Sequence, residues 1–380
     1  MDIQNDKTLV LAFDAKRLFH NFTGLGNYSR TLIRNLQHFF PQHEYHLFTP
    51  TIRRNADTEY FLDQTKFHIH TRKRFNPLWR TVGVATEINT LKPNIYHGLS
   101  HEIPFGIHPS IRTVVTFHDL IYLRYPEQFG WLDQKLYAWK YKSSASRADH
   151  IIAISDSTKS DLVDLYQIPA EKITMIYQSC HPVFMDDHDT PDQLPMEIIH
   201  LDRFYLYVGS IIERKGLLQA IIAFSKLDII HRLPFVVVGN GHAKYRQKVA
   251  DLIKYYGLEE YFYFLGSISN DELVSIYDQS LCLIYPSVYE GFGIPVIESL
   301  FRSKPVITSD LSSLPEAAGP GGLLINPFLP EDIAVAMKEI HHQPTYEKLS
   351  LSGYDYVKSH FGSEVTSQHL MNYYQTIVDS

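Results

Sequence analysis

The stretch YEGFGIPVIESL, residues 289 to 300, sets Glu290 and Glu298 eight positions apart around a Gly-Phe-Gly-Ile-Pro turn. It follows the apolar run LCLIYPS (281–287), so the local reading is strand, glycine turn, helix. Pro295 falls in the first helical turn, which leaves Glu290 ahead of the helix and Glu298 about one turn inside it. Two acids so placed do not flank one bond as a hydrolase pair would. Each is expected to bind a different part of one ligand, and the paired hydroxyls of a sugar and a ribose are natural donors to a carboxylate. Gly291 and Gly293 let the backbone come close to that ligand, and the amides from Phe292 to Ile294 open the helix toward it.

Outward from this stretch the same alternation recurs. Apolar runs TLVLAFDA, EYHLFTP, NIYHGL, RTVVTFHDL, HIIAIS and ITMIY come first, then FYLYVGS, PFVVVGNG, YFYFLGS, LCLIYPS and KPVITSD. Runs apolar on both faces, spaced by segments long enough for crossover helices, predict parallel strands in an α/β fold. The organisation appears twice, on either side of the acidic, proline-bearing DDHDTPDQLPMEIIHLD. The expectation is two doubly wound, Rossmann-like domains, residues 1–190 and 200–362, facing each other across a cleft. A last helix, 363–380, has apolar positions at Val365, Leu370, Tyr373, Tyr374 and Ile377 and is expected to dock back toward the N-terminal domain.

In open α/β sheets the residues just beyond each strand carry the chemistry. After FYLYVG come Ser210, Arg214, Lys215 and Gly216, and two adjacent cations at the start of a helix suit a diphosphate. In the first half, TGLGNYSRTLI offers Gly24 and Gly26 ahead of a helix, where backbone amides can meet a phosphate or a sugar. His118 ends the run RTVVTF and is placed to donate to or orient a polar substrate group, with Asp119 or another carboxylate to fix its tautomer.

Composition excludes several classes. The chain has 380 residues, 44% hydrophobic and 20% charged, a folded globular composition. No run of about 18 apolar residues spans a bilayer and the N-terminus lacks signal-peptide character, so the expected location is cytoplasmic. Cys180 and Cys282 read as reduced core residues. The net charge of −7 divides unevenly: residues 1–185 hold 21 basic and 17 acidic residues, the remainder 14 and 25. Arg53, Arg54, Lys66, Arg72, Lys73, Arg74 and Arg80, interleaved with Phe61, Phe67, Phe75 and Trp79, read either as a solvated face or as a patch for an anionic membrane. Nucleic acid is not expected as a partner. A metal held against a diphosphate would want Asp-x-Asp at a strand end, and the triplet Asp187-His188-Asp189 lies in the linker instead. His97, His101 and Glu102 invite a zinc reading, yet without a further ligand cluster they read better as a wall contacting substrate. The Gly-x-Gly pairs lack the acid about 20 residues on that a dinucleotide fingerprint requires.

Taken together, TGLGNYSRTLI, NIYHGLSHEIP, TFHDL, IIAISDSTKSDL, YVGSIIERKGL, VVVGNG and YPSVYEGFGIPVIESL resemble, in order and over nearly the whole chain, the retaining glycosyltransferases of the GT-B fold, family 4. The resemblance implies that Glu290 and the amides of Gly291, Phe292, Gly293 and Ile294 hold the transferred sugar, while Glu298 takes the ribose hydroxyls of the donor. It implies that Arg214 and Lys215 neutralise the diphosphate, that Gly26 approaches it from the first domain, and that His118 sits beside the reacting sugar. Ser210 stands where many members have arginine, and Gly24-Leu25-Gly26 replaces a doubled glycine; both look like the branch rich in GDP-mannose users. The resulting expectation is a metal-independent hexosyltransferase without a resident cofactor. It would transfer mannose from GDP-mannose to a saccharide or lipid-linked saccharide, at the inner face of the cytoplasmic membrane, in polysaccharide or lipopolysaccharide synthesis. The alternatives are a UDP-sugar donor, a related phosphorylase or epimerase, and a catalytically silent sugar-binding member.

Overall fold

The runs quoted above become strands because they are apolar on both faces and need cover on both. In the computed structural model, which describes residues 8–72, 76, 78–185 and 193–380, they form two sheets whose strands pair in parallel throughout. The chain divides into unit 1, Met1–Cys180 with Ser363–Ser380, and unit 2, His181–Gly362.

Unit 1 holds β1 (Val10–Asp14), β2 (Glu44–Thr49), β3 (His68–Thr71), β4 (Ile95–Gly98), β5 (Arg112–Phe117), β6 (His150–Ala153) and β7 (Ile173–Met175), in the order β3-β2-β1-β4-β5-β6-β7. Unit 2 holds β8 (Phe204–Val208), β9 (Phe235–Val238), β10 (Phe262–Leu265), β11 (Ser280–Tyr285), β12 (Val306–Ser309) and β13 (Gly322–Ile325), in the order β10-β9-β8-β11-β12-β13. In each sheet the winding reverses once, between β1 and β4 in the first and between β8 and β11 in the second. Such switch points are where open α/β sheets bind ligands. Two strands escaped the sequence reading, β3 (HIHT) and β13 (GLLI). Both are short edge strands, exposed along one side, so neither needs a fully apolar sequence.

The core of unit 1 gathers Phe48, Trp79, Tyr96, Phe117, Tyr122 and Tyr141, and that of unit 2 Tyr205, Tyr207, Phe224, Phe235 and Phe262. The final helix, Ser363–Asp379, belongs to unit 1 and buries Leu370, Met371, Tyr374 and Ile377, packing on the helix Gly24–Phe39. Tyr374 Oη lies 2.6 Å from His97 Nδ1 in the buried interior.

The basic and aromatic patch read between residues 53 and 80 is not a single surface. Phe61 and Phe67 are wholly buried, and Trp79 is nearly so. Arg80 turns inward, within 2.7 Å of Asp14 Oδ2 and 2.6 Å of Glu102 Oε1. Burial opposes its charge, and those two carboxylates more than reverse that and hold its pKa above the ordinary value. Lys73, Arg74 and Phe75 lie outside the described residues, as does Asp187-His188-Asp189. On the helix Trp131–Arg147, Trp131, Leu132 and Trp139 are 64%, 71% and 58% exposed, and within the 53–80 segment Leu78 is 61% exposed.

Candidate active site

The loops beyond β8 and β11, at the second switch point, bring Arg214, Lys215 and Glu290 together. Beyond β8 the chain makes a short 3-10 turn, Glu213–Lys215, and then Gly216 in the left-handed region at φ 72° before the helix Leu217–Ser225. A Cβ on Gly216 would stand 2.2 Å from the Pro286 carbonyl oxygen, so only glycine lets the loop after β8 lie against the loop after β11. Val288 N–H donates to the Arg214 carbonyl at 2.9 Å and fastens the two loops together.

That closeness brings three side chains onto one carboxylate oxygen, Glu290 Oε1. Lys215 Nζ is 2.5 Å from Glu290 Oε1, Arg214 Nη1 is 3.1 Å from it, and Tyr285 Oη donates to it at 3.1 Å. Lys215 also donates to Tyr285 Oη, and Arg214 to the Tyr289 carbonyl. The Glu290 main chain is pinned as well, its N–H donating to Ser312 Oγ at 3.0 Å and its carbonyl accepting from Ser313 Oγ at 2.9 Å. Burial alone would push the Glu290 carboxyl up; Lys215 and Arg214 outweigh it and hold the group below the usual carboxylate range. The cluster therefore carries two cations against one anion in a site where charge is poorly screened.

Glu298 has different surroundings. It lies in the helix Ile294–Phe301, buried, with Tyr277 Oη donating to its Oε2 at 3.1 Å. Burial raises its carboxyl to about 7, the Tyr277 bond offsetting only part. The two acids of the opening stretch are thus an anion and a group half-protonated near neutrality, each with its own partners. Gly293, at φ 115°, and Ile294 open this helix, Gly291 precedes them, and Phe292 is buried edge-on against Phe361 at 5.2 Å. Ser210 is exposed on the loop after β8, its carbonyl accepting from Tyr207 Oη at 3.1 Å.

In unit 1, His118 follows β5 and is 6% exposed. Its Nε2 lies 2.9 Å from the Leu99 carbonyl, which can only accept, so Nε2 carries the proton and Nδ1 the lone pair. Burial brings its pKa to about 4, and the ring is neutral at pH 7. Any contact to a substrate hydroxyl through Nδ1 is therefore as acceptor, not donor. His101 Nε2 accepts from the His118 N–H at 3.1 Å, and Tyr28 meets the His118 ring edge-on at 4.5 Å.

Two expectations change here. Gly26 is buried, with its N–H on Asn21 Oδ1 at 3.0 Å and a Cβ there overlapping the Asn21 carbonyl oxygen at 1.6 Å. It lets the helix Gly24–Phe39 start against the preceding turn, and its amide is already committed. His97 is likewise no substrate-contacting wall: it is fully buried, with Nε2 2.7 Å from Thr116 Oγ1 and Nδ1 on Tyr374. Glu102 is paired with Arg80 and, at 3.6 Å, Lys140. Tyr285, Tyr277, Ser312 and Ser313 were not singled out from sequence. Tyr285 had a signal, the last position of the strand run LCLIY, but its ring reads as core.

Two doubly wound parallel sheets in one chain are the architecture of the GT-B class. Residues 22–180 match the model of Glycosyltransferase Family 4 and residues 197–355 that of Glycosyl transferases group 1, so the chain belongs to glycosyltransferase family 4. It is 26% identical over 345 residues to the O-antigen chain mannosyltransferase B of Escherichia coli, covering 84% of this chain and 87% of that protein. The O-antigen chain mannosyltransferase RfbU of Salmonella typhimurium is 27% identical over 231 residues, 60% of this chain and 61% of its own. Among solved structures, Anabaena Alr3699/HepE in complex with UDP and glucose shares the fold with a TM-score of 0.73 at 15% identity, covering 97% of this chain and 100% of that one.

Proposed function

We propose that the protein transfers mannose from GDP-mannose to a saccharide hydroxyl, with retention at the anomeric carbon, in assembly of a cell-surface polysaccharide of O-antigen type. The observation that carries this reading is the convergence of Arg214, Lys215 and Tyr285 on Glu290 where β8 meets β11. As the anomeric bond breaks, negative charge grows on the departing diphosphate, and two fixed cations stabilise it without a metal ion. Glu290 accepts from the hydroxyls of the transferred sugar, helped by the amides from Gly291 to Ile294, and Glu298 accepts from the ribose. Because Glu290 Oε1 already receives three donors, it is a poor nucleophile. Same-face attack by the acceptor hydroxyl, with a departing phosphate oxygen taking its proton, fits better than a covalent intermediate. The mannosyltransferase relatives support the choice of sugar.

The acceptor is proposed to be lipid-linked, and its membrane to be met by the helix Trp131–Arg147 rather than by the 53–80 segment. Trp131, Leu132, Lys135, Leu136, Trp139 and Lys142 form its exposed stripe, an aromatic and lysine surface suited to anionic headgroups. Among the described residues no helix is long and apolar enough to cross a membrane. The second reading, a UDP-sugar donor, is favoured by the UDP held in the Anabaena structure.

Calorimetric titration with GDP, UDP and ADP, with and without EDTA, followed by transfer from GDP-mannose with NMR of the product anomer, tests the proposal. Metal-independent preference for GDP and an α-linked product are expected. Preference for UDP would replace the donor, and binding of no nucleotide would favour a silent sugar-binding protein.

A further inference from the structure

A second cluster of chemically active side chains stands at the other end of the unit 1 sheet, where β2 and β3 begin. The two strands pair in parallel with His46 opposite His68 and Phe48 opposite His70. Side chains alternate along a strand, so Glu44, His46 and Phe48 share one face of β2, and His68 and His70 share the same face of β3. The rings confirm the register: His46 stacks on His68 at 4.6 Å, and His70 stacks on Phe48 at 4.4 Å. One ligand atom each from Glu44, His46 and His68 lies within 4.8 Å of the others.

We propose that Glu44, His46 and His68 bind a divalent transition cation, of which Zn2+ is the best match, at the edge of this sheet. Two imidazoles and a carboxylate are a borderline donor set that suits zinc better than magnesium or calcium. Bonds of about 2.0–2.1 Å in a tetrahedron put ligand atoms about 3.3 Å apart. His46 Nε2 and Glu44 Oε2 already stand 3.4 Å apart, and small rotamer adjustments bring in His68. The outer shell is present too: His46 Nδ1 lies 3.0 Å from His70 Nε2, and donation from Nδ1 leaves the Nε2 lone pair facing the ion. Glu44 and His68 are exposed while His46 is buried, which leaves the fourth position to water.

The ion would act as a clasp. β3 is a four-residue edge strand, and a cation shared with β2 fastens it to the sheet independently of its few ladder hydrogen bonds. The cluster sits at the N-terminal ends of its strands, whereas His118 lies beyond the C-terminal end of β5. Chelation should therefore lower stability without abolishing nucleotide binding, which separates this inference from the donor assignment.

The test is calorimetric titration of untagged, EDTA-dialysed full-length protein with Zn2+ alone, with thermal midpoints measured alongside. One equivalent is expected to bind, with affinity falling at least ~10-fold in Glu44→Gln and His68→Gln, both surface substitutions, and a comparable loss in His70→Gln. The thermal midpoint should rise with Zn2+ in the parent and not in Glu44→Gln or His68→Gln. Absence of binding, or equal binding in parent and variants, which would place the ion on other histidines, overturns the proposal.

Discussion

Lys215 Nζ lies 2.5 Å from Glu290 Oε1, and Arg214 Nη1 approaches the same oxygen at 3.1 Å. Sequence puts those cations 75 and 76 positions from their carboxylate, and the β8–β11 pairing closes the distance. The pair of cations is held in place before any ligand arrives, which is how electrostatic stabilisation avoids reorganisation during the reaction.

Glu290→Gln removes the anion and keeps the shape. Turnover is expected to fall ~100-fold or more, because a sugar contact made by a charged acceptor is lost. GDP affinity should stay within a few-fold or tighten, since two cations are released toward the diphosphate. Steady-state kinetics beside a GDP titration decides this, and a tenfold weaker GDP complex would reverse the assigned roles.

Glu298 gives a pH signature. Its folded pKa of about 7 stands above the ordinary 4.5, so the folded state binds the proton more tightly than the unfolded one. The associated stability is complete below pH 4.5 and is lost as pH rises through 7, on the order of 3 kcal/mol in all. Glu298→Gln should flatten the denaturant midpoint across that window and be relatively more stable at pH 8. In the parent, binding to the ionised carboxylate makes GDP affinity rise from pH 6 to 8, and this slope should vanish in the glutamine variant.

His118 should behave as a fixed neutral acceptor. With its pKa brought to about 4 by burial, it contributes no inflection to the rate between pH 6 and 8. His118→Ala is expected to slow transfer ~100-fold while leaving GDP affinity within a few-fold. Equal losses in both would show that it acts on the nucleotide.

The membrane assignment predicts a contrast between two surfaces. Co-sedimentation with phosphatidylglycerol-containing vesicles should drop sharply in Trp131→Ser/Trp139→Ser and weaken in Lys135→Glu, and high salt should reduce it in the parent. Arg53→Glu/Arg54→Glu should leave it nearly unchanged. The opposite ranking would return the contact to the 53–80 segment.

What sequence conveyed depended on whether the signal was local. The central strands were legible from runs such as FYLYV and RTVVTF, because a strand covered on both faces must be apolar throughout. The edge strands β3 and β13 were not, because exposure relaxes that demand. Phe61, Phe67 and Trp79 looked like surface aromatics beside basic residues, yet each ring belongs to the core. Arg80 looked like one more surface cation; its partner Asp14 is 66 positions away and joins it only through the fold. In the site, adjacency drew attention to Arg214 and Lys215, which the fold brings onto Glu290, while Glu298 sits apart with Tyr277. Tyr285 and Tyr277 were hidden because a phenol buried for its ring and one buried for its hydroxyl are written with the same letter. The His46–His68 pairing rests wholly on strand register, which no local pattern encodes.

The helix that lends Tyr374 and Leu370 to unit 1 is made after all of unit 2. On a ribosome adding roughly 5–20 residues per second, the first sheet emerges on the order of ten to forty seconds before its closing helix. During that interval the surface that will receive Leu370, Met371 and Ile377 stays open, and the buried His97 lacks its phenol partner. The second-made unit thus completes its core first, and the nascent first unit is the part a holdase chaperone would shelter until that helix has emerged.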